Sequence, residues 1–287
     1  MLILMEAAPD GDGQNVAAGA RALGHRVHLM AAGGSLSQAE PPLIAGGFEW
    51  GVLLSSAPSP ERYRQIHDEA RALNITLLND STQHRDAEEL DRTLGALDGL
   101  TARSEVVTTE ASVEAALQRL PLPVFVRGAV GSAKELGWKA CVAQTLAEAQ
   151  TLVKKLLALQ TYSRGRVVLR EVLPLRRIDK LHAGFPLSRE YRLFVLDADV
   201  LVMGPSWFAE DPFGKLSERE ESEVRALAHE VARRTRVPWL AIDVGQLEGG
   251  EWKVIETADP ASCALGSVDP RVLVAALAHS LEQRTGC

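Results

Sequence analysis

Residues 240–260, LAIDVGQLEGGEWKVIETADP, constrain this chain more than any other stretch. Two apolar runs flank Glu248-Gly249-Gly250, which is the turn chemistry of a β-hairpin. Asp243 and Glu256 lie at similar distances on either side of Gly249-Gly250, so they are expected to sit nearly opposite each other and to share a face. Two carboxylates held that close repel unless a cation lies between them. Hard oxygen donors with room for water and phosphate suit Mg2+. A solvated acidic face is the other reading. The apolar neighbours Leu240, Ile242, Val254 and Ile255 weigh against it, because carboxylates in such surroundings need a partner.

Upstream, short apolar runs alternate with helical patterns: Met1–Met5, His25–Ala31, Trp50–Ser55 and Ile75–Leu78 read as strands, and Gln14–Leu23 and Pro60–Leu73 as helices. That alternation predicts an open parallel α/β sheet over the first hundred residues, with Gly11-Asp12-Gly13 as a glycine-rich turn after the first strand. The third glycine of a dinucleotide loop is missing, since Ala17 and Ala18 occupy that region. Asp86–Gly99 reads as an amphipathic helix and Gly99–Arg103 as a boundary. Beyond it, hairpins and helices mix in an α+β pattern, with strands at Glu105–Thr109, PLPVFVRG and RVVLREVL, a hairpin around Asp197-Ala198-Asp199 and helices over Thr145–Leu159, Ser217–Arg234 and Pro270–Gln283. Arg176–Ser188 and Ala209–Gly214 read as specificity loops.

A cationic set precedes the acidic hairpin. Arg127 ends the strand PVFVR, and Lys134 and Lys139 lie in or just beyond the small-residue loop Gly128–Gly137. Such a loop can expose backbone N–H groups to a phosphate while Arg or Lys neutralises it. Arg189 and Arg192 fall on opposite faces of a strand, so one is expected at the site and the other in a surface ion pair.

In order, these pieces resemble the ATP-grasp superfamily over nearly the whole chain. ITLLND with STQHRDAEELDRTL is similar to the exit from its N-terminal domain, and SEVVTTEASVEAALQRLPLPVFVRG to its first nucleotide-binding stretch. VVLREVLPL resembles the hinge strand that holds adenine, SREYRLFVLDADVLV the strand with a phosphate-binding arginine, and WLAIDV with WKVIETAD the metal-binding strands. The R-E-Y-R stretch and the E-x-x-D ending resemble a clade of small ATP-grasp proteins named for an arginine-to-lysine exchange. The resemblance implies a parallel α/β domain over 1–100, a small nucleotide-binding subdomain over 101–188 and a C-terminal subdomain over 189–287. It implies ATP and Mg2+ as cofactors. Arg127 would touch the phosphates, with Lys134 or Lys139 as a second cation, and Glu171, Val172 and Leu173 would line adenine. Arg192 would meet the γ-phosphate and Asp243, Glu256 and Asp259 would hold metal. Two departures stand out: Arg127 replaces the usual lysine, and Ala258 replaces the usual asparagine, so that Asp259 must stand in.

The implied chemistry is ligation of a small-molecule or peptide carboxylate to an amine or thiol through an acyl phosphate. A phosphotransferase and a catalytically weak nucleotide binder remain open on the same fold. No side-chain nucleophile is required, and His182 and His229 read as lone histidines rather than bases. A net charge of −7 offers no electrostatic case for nucleic acid. The apolar start is too short for a signal peptide core and no apolar window spans a bilayer, so a cytoplasmic, membrane-free protein is expected. Cys141, Cys263 and Cys287 are too sparse for a disulfide framework and read as reduced thiols. Many relatives pair up, so a homodimer is an open arrangement.

Overall fold

Four short apolar runs become strands β1 (Leu2–Glu6), β2 (Arg26–Met30), β3 (Glu49–Leu54) and β4 (Ile75–Leu77). A computed structural model of the chain, describing residues 1–6, 11–207 and 210–285, pairs them in parallel in the order β2-β1-β3-β4. Every residue of β1 is buried, as a central parallel strand covered on both faces requires. The helix Pro60–Ala72 starts with proline in its first turn and Ser59 as its cap, the Ser59 hydroxyl accepting from the Arg62 amide at 3.1 Å. The expected Gly11–Gly13 turn is instead the first turn of the helix Gly11–Ala22; Asp12 carries negative charge at that helix start and accepts from the Leu265 amide.

The second sheet is antiparallel, with β5 (Ser104–Val107), β6 (Val124–Gly128), β7 (Val142–Ala143) and β8 (Val167–Glu171) in the order β5-β8-β6-β7. The helix Leu146–Ala158 covers it with Ala149, Val153 and Leu156. Arg176–Ser188, expected as a loop, is largely a hairpin of β9 (Arg177–His182) and β10 (Phe185–Ser188), turned through Ala183 and Gly184 at positive φ. Ala209 and Cys287 lie outside the described residues. The third sheet orders β11 (Glu190–Leu196), β12 (Asp199–Pro205), β13 (Trp239–Gln246) and β14 (Trp252–Ala258) as β12-β11-β13-β14.

Alternation along β11 and β13 sends Leu193, Val195, Leu240, Ile242 and Val244 to one face, where Val224, Ala228 and Val231 of the helix Glu218–Thr235 cover them. The opposite face sends Phe194, Leu196, Trp239 and Ala241 into a core shared with Ile3, Val52 and Leu54 of the parallel sheet and Leu273 and Leu277 of the helix Pro270–Thr285. The parallel sheet and the third sheet are thus joined by one apolar core, while the second sheet has a core of its own. No helix among the described residues is long and apolar enough to cross a membrane.

The expected single helix over Asp86–Gly99 is two: Ser81–Glu88, with a capping box of Asp80 and Gln83, and Leu90–Thr93. Glu89 breaks them with an extended backbone. Its fully buried carboxylate is gripped by Arg85, Arg164 and Arg166. Burial pushes the Glu89 carboxyl up, but bonds from Arg85 and Arg164 and the charges of Arg85 and Arg166 outweigh it and hold it at about 2. A carboxyl lowered on folding stabilises the protein above its unfolded value of 4.5 and loses that contribution as pH falls through about 2. Glu89→Gln should therefore be less stable than the parent at pH 6, and the gap should close between pH 4.5 and about 2, as read from urea midpoints across that range.

Candidate active site

The site begins as a row of cross-strand partners. Arg192 on β11 faces Asp243 on β13, and Asp243 faces Glu256 on β14, so all three side chains share one face. Arg192 binds Asp243 through both arms of its fork, Nε to Oδ1 at 2.7 Å and Nη2 to Oδ2 at 2.6 Å, and its Nη1 donates to the Ala264 carbonyl at 2.5 Å. From the second sheet, Arg127 reaches across and pairs with Glu256. Burial pushes the Glu256 carboxyl up, yet the charges of Arg127, Lys134 and Arg192 hold it down at about 2.

A cleft enclosing about 610 Å3, part of it open to solvent, lies between the second and third sheets. Glu171, Val172 and Leu173 line one edge, where β8 ends, and Phe125, Trp138 and Phe185 add apolar wall. Arg127, Lys134, Arg170, Arg177, Glu190 and Glu256 add charged lining. Lys134 Nζ stands 5.7 Å from the Phe185 ring centre, 5.9 Å from Trp207 and 6.0 Å from Phe125, a cation held among aromatic rings. Lys139 is exposed and does not line the cleft, whereas Lys134 does. His182 and His229 are both exposed and outside it.

Three expectations are corrected here. Asp259 does not join the acid pair. Its Oδ2 accepts from Asn79 Nδ2 and meets His84 Nδ1, both at 2.9 Å, and its Oδ1 accepts from the Ala261 amide at 2.8 Å. Its own amide donates to Glu88, so Asp259 is spent on tying the segment after β14 to the helix Ser81–Glu88. Second, the first amides of the loop after Arg127 are not open to a ligand. Those of Ala129, Val130 and Gly131 donate to the carbonyls of Arg166 and Tyr162, and that of Gly128 to Gly131. A Cβ on Gly128 would lie 2.1 Å from the Tyr162 carbonyl oxygen, so this approach requires glycine. Third, Arg189 is no surface ion pair: it is buried and bound to Asp211, Glu220 and Gln246.

Glu190 is a site residue that strand periodicity could have revealed, being two positions from Arg192 and therefore on its face. It is buried and accepts from the Ser188 hydroxyl. Burial pushes its carboxyl up, the Asp243 charge adds to this, and Lys134 offsets part. Cys141 and Cys263 are free thiols; burial pushes both up, Cys141 to about 11.

Solved structures place this architecture in the ATP-grasp class of folds. The D-cycloserine synthetase DcsG superposes with a TM-score of 0.63 at 17% identity, over 98% of this chain and 100% of that one. A RimK domain ATP-grasp protein from Sphaerobacter thermophilus gives 0.62 at 15% identity, over 96% and 98%. The ATP-grasp ligase PsnB, solved with its minimal precursor, Mg and ADP, gives 0.58 at 15%, over 98% of each. More particularly, the profile of the ATP-grasp domain of the arginine-to-lysine clade, family 3, matches residues 117–277, and the chain belongs to that family. No curated protein sequence matches the chain.

The Asp259 network yields a direct expectation. Asp259→Ala leaves His84 Nδ1 and the Ala261 amide without their acceptor and Asn79 Nδ2 with the Trp239 carbonyl alone. Each unsatisfied buried group costs about 1–3 kcal/mol. The urea midpoint of the ligand-free protein should fall accordingly, whereas an unchanged midpoint would show that this network adds nothing to stability.

Proposed function

We propose that this protein is an ATP-dependent ligase that activates a carboxylate as an acyl phosphate and transfers it to an amine or thiol. The observation that carries this reading is the row Arg192–Asp243–Glu256 facing Arg127 across the cleft. Family membership supports nucleotide binding in that cleft. Adenine would lie along Glu171, Val172 and Leu173, and the buried Glu190, which lines the same cleft, suits sugar hydroxyls.

The donor set fits magnesium. Mg2+ is satisfied by one or two carboxylates, with phosphate oxygens and water completing its shell. Asp243 and Glu256 are register partners on one face, and Ala258 and Asp259 add no further ligand beside them. Both acids are now neutralised by arginines. A bound triphosphate would draw Arg127 and Arg192 toward its oxygens and free the carboxylates for the metal. The ion, when bound, supplies neutralisation of phosphate charge. The chain's own contribution is positional: Arg127, Lys134 and Arg192 offset the repulsion between a carboxylate nucleophile and the γ-phosphate and hold the two in line. An amine or thiol then attacks the acyl carbon, the C–O bond to phosphate breaks, and inorganic phosphate leaves with ADP as the earlier product. Substrates are expected to be small-molecule or peptide carboxylates and amines.

Asp243→Ala and Glu256→Ala should each lower Mg2+-dependent ATP turnover by about 100-fold or more in a panel of carboxylate and amine substrates. Undiminished turnover would remove the metal assignment. Mass analysis of the product then separates ligation, with free phosphate and ADP, from phosphotransfer, with phosphate retained on the acceptor.

A further inference from the structure

Arg170 lines the same cleft, is 5% exposed, and has no part in the chemistry above. It stands opposite Phe125 on the small sheet, on the face that carries Arg127 two residues further along β6. Its partners are both uncharged. Nη1 donates to the Ile255 carbonyl at 2.7 Å and Nη2 to the Thr101 hydroxyl at 2.6 Å, while Nε has no partner. Thr101 in turn donates to the Val254 carbonyl at 2.7 Å. Burial and the charge of Arg127 push Arg170 down to about 10, which leaves it a cation at neutral pH.

The two carbonyls so held belong to an irregularity in β14. Val244 faces Val254, yet Asp243 faces Glu256, so Ile255 is an extra residue. In a regular strand Glu256 would share the face of Val254, which is buried with Val244 and Ile242 beneath the helix Glu218–Thr235. The extra residue moves Glu256 to the face of Asp243. Burial along β14 shows the same change of phase: Trp252 and Val254 are buried, and the next buried residue is Thr257.

We infer that Arg170 is a positioning residue: by gripping the Ile255 carbonyl, with Thr101 gripping Val254, it holds the bulge that turns Glu256 onto Asp243. This role rests on the reading of the acid pair as a metal site. It couples the sheet that would hold the nucleotide to the strand that carries the acids.

The test uses Mn2+ as a spin-visible substitute for Mg2+, with ADP and the full-length protein. Arg170→Met should weaken Mn2+ retention in the ADP complex about tenfold or more, as loss of groups that orient metal ligands does. ADP affinity without metal, from calorimetry, should stay unchanged. Arg170→Lys should not restore retention, because one ammonium cannot span both acceptors. Thr101→Val, a milder change, should shift Mn2+ retention in the same direction, and it decides the matter if Arg170→Met does not fold. Folded variants that retain Mn2+ like the parent would overturn the inference. So would an equal loss of metal-free ADP affinity, which would make Arg170 a nucleotide ligand. If the parent protein itself retains no Mn2+ with ADP, the metal reading fails instead.

Discussion

Two carboxylates on neighbouring strands, facing the same way and largely withdrawn from water, cannot stand without cations beside them. Asp243 and Glu256 impose that condition, and much of the chain is arranged to meet it. Arg192 answers from the adjacent strand of the same sheet and Arg127 from a different sheet. The second contact ties the second sheet to the third across the cleft. Arg127 and Glu256 are therefore at once a docking contact between sheets and part of the candidate site. The lowered carboxyl of Glu256 shows that attraction to cations outweighs burial there.

The acids also need a rigid platform. The face that ends in Arg192 and Asp243 begins as core, with Phe194, Leu196, Trp239 and Ala241 packed against the parallel sheet. One strand alternation thus serves packing at one end and chemistry at the other. Past β14 the chain is tied down repeatedly: Thr257 to the Ala87 carbonyl, Asp259 to Asn79 and His84, Ser262 to Glu88, and Ala264 to Arg192. His84 is fully buried and stacked on Tyr63 at 3.9 Å, so this strap is anchored in the core of the N-terminal region. Burial and the charge of Asp259 push the Glu88 carboxyl up, which suits its place among hydrogen bonds rather than ions.

Most regular elements were legible because their signals are local. Ser59-Pro60 and Ser217 with Glu220 mark helix starts, and short apolar runs between turn residues mark the parallel strands. The misreadings share a cause. Glu89 lies in a helical pattern, but besides its local partner Arg85 it is gripped by Arg164 and Arg166, some 75 and 77 residues away in sequence. Asp259 has a metal ligand's spacing and an acceptor's role, set by Asn79 and His84 some 180 and 175 residues away in sequence. The amides after Arg127 look free in a glycine-rich stretch and are taken by Tyr162 and Arg166.

The sequence by itself determined most regular elements along the chain, the near-opposite placing of Asp243 and Glu256 about Gly249-Gly250, and the apolar flanks that make such an acid pair need cations. These follow from periodicities of two and 3.6 residues, which any stretch of chain carries within itself. Only the tertiary structure showed how that register is reached, and that Arg192 faces the pair from the next strand. The pairs next to the turn, Gln246 with Trp252 and Val244 with Val254, would if continued set Ile255 against Asp243, and the extra residue that shifts the register is held by Arg170 and Thr101 from elsewhere in the fold. It likewise decided that Lys134 rather than Lys139 enters the cleft and that Asp259 does not, because long-range partners, unlike periodicity, leave no mark on the residues nearby.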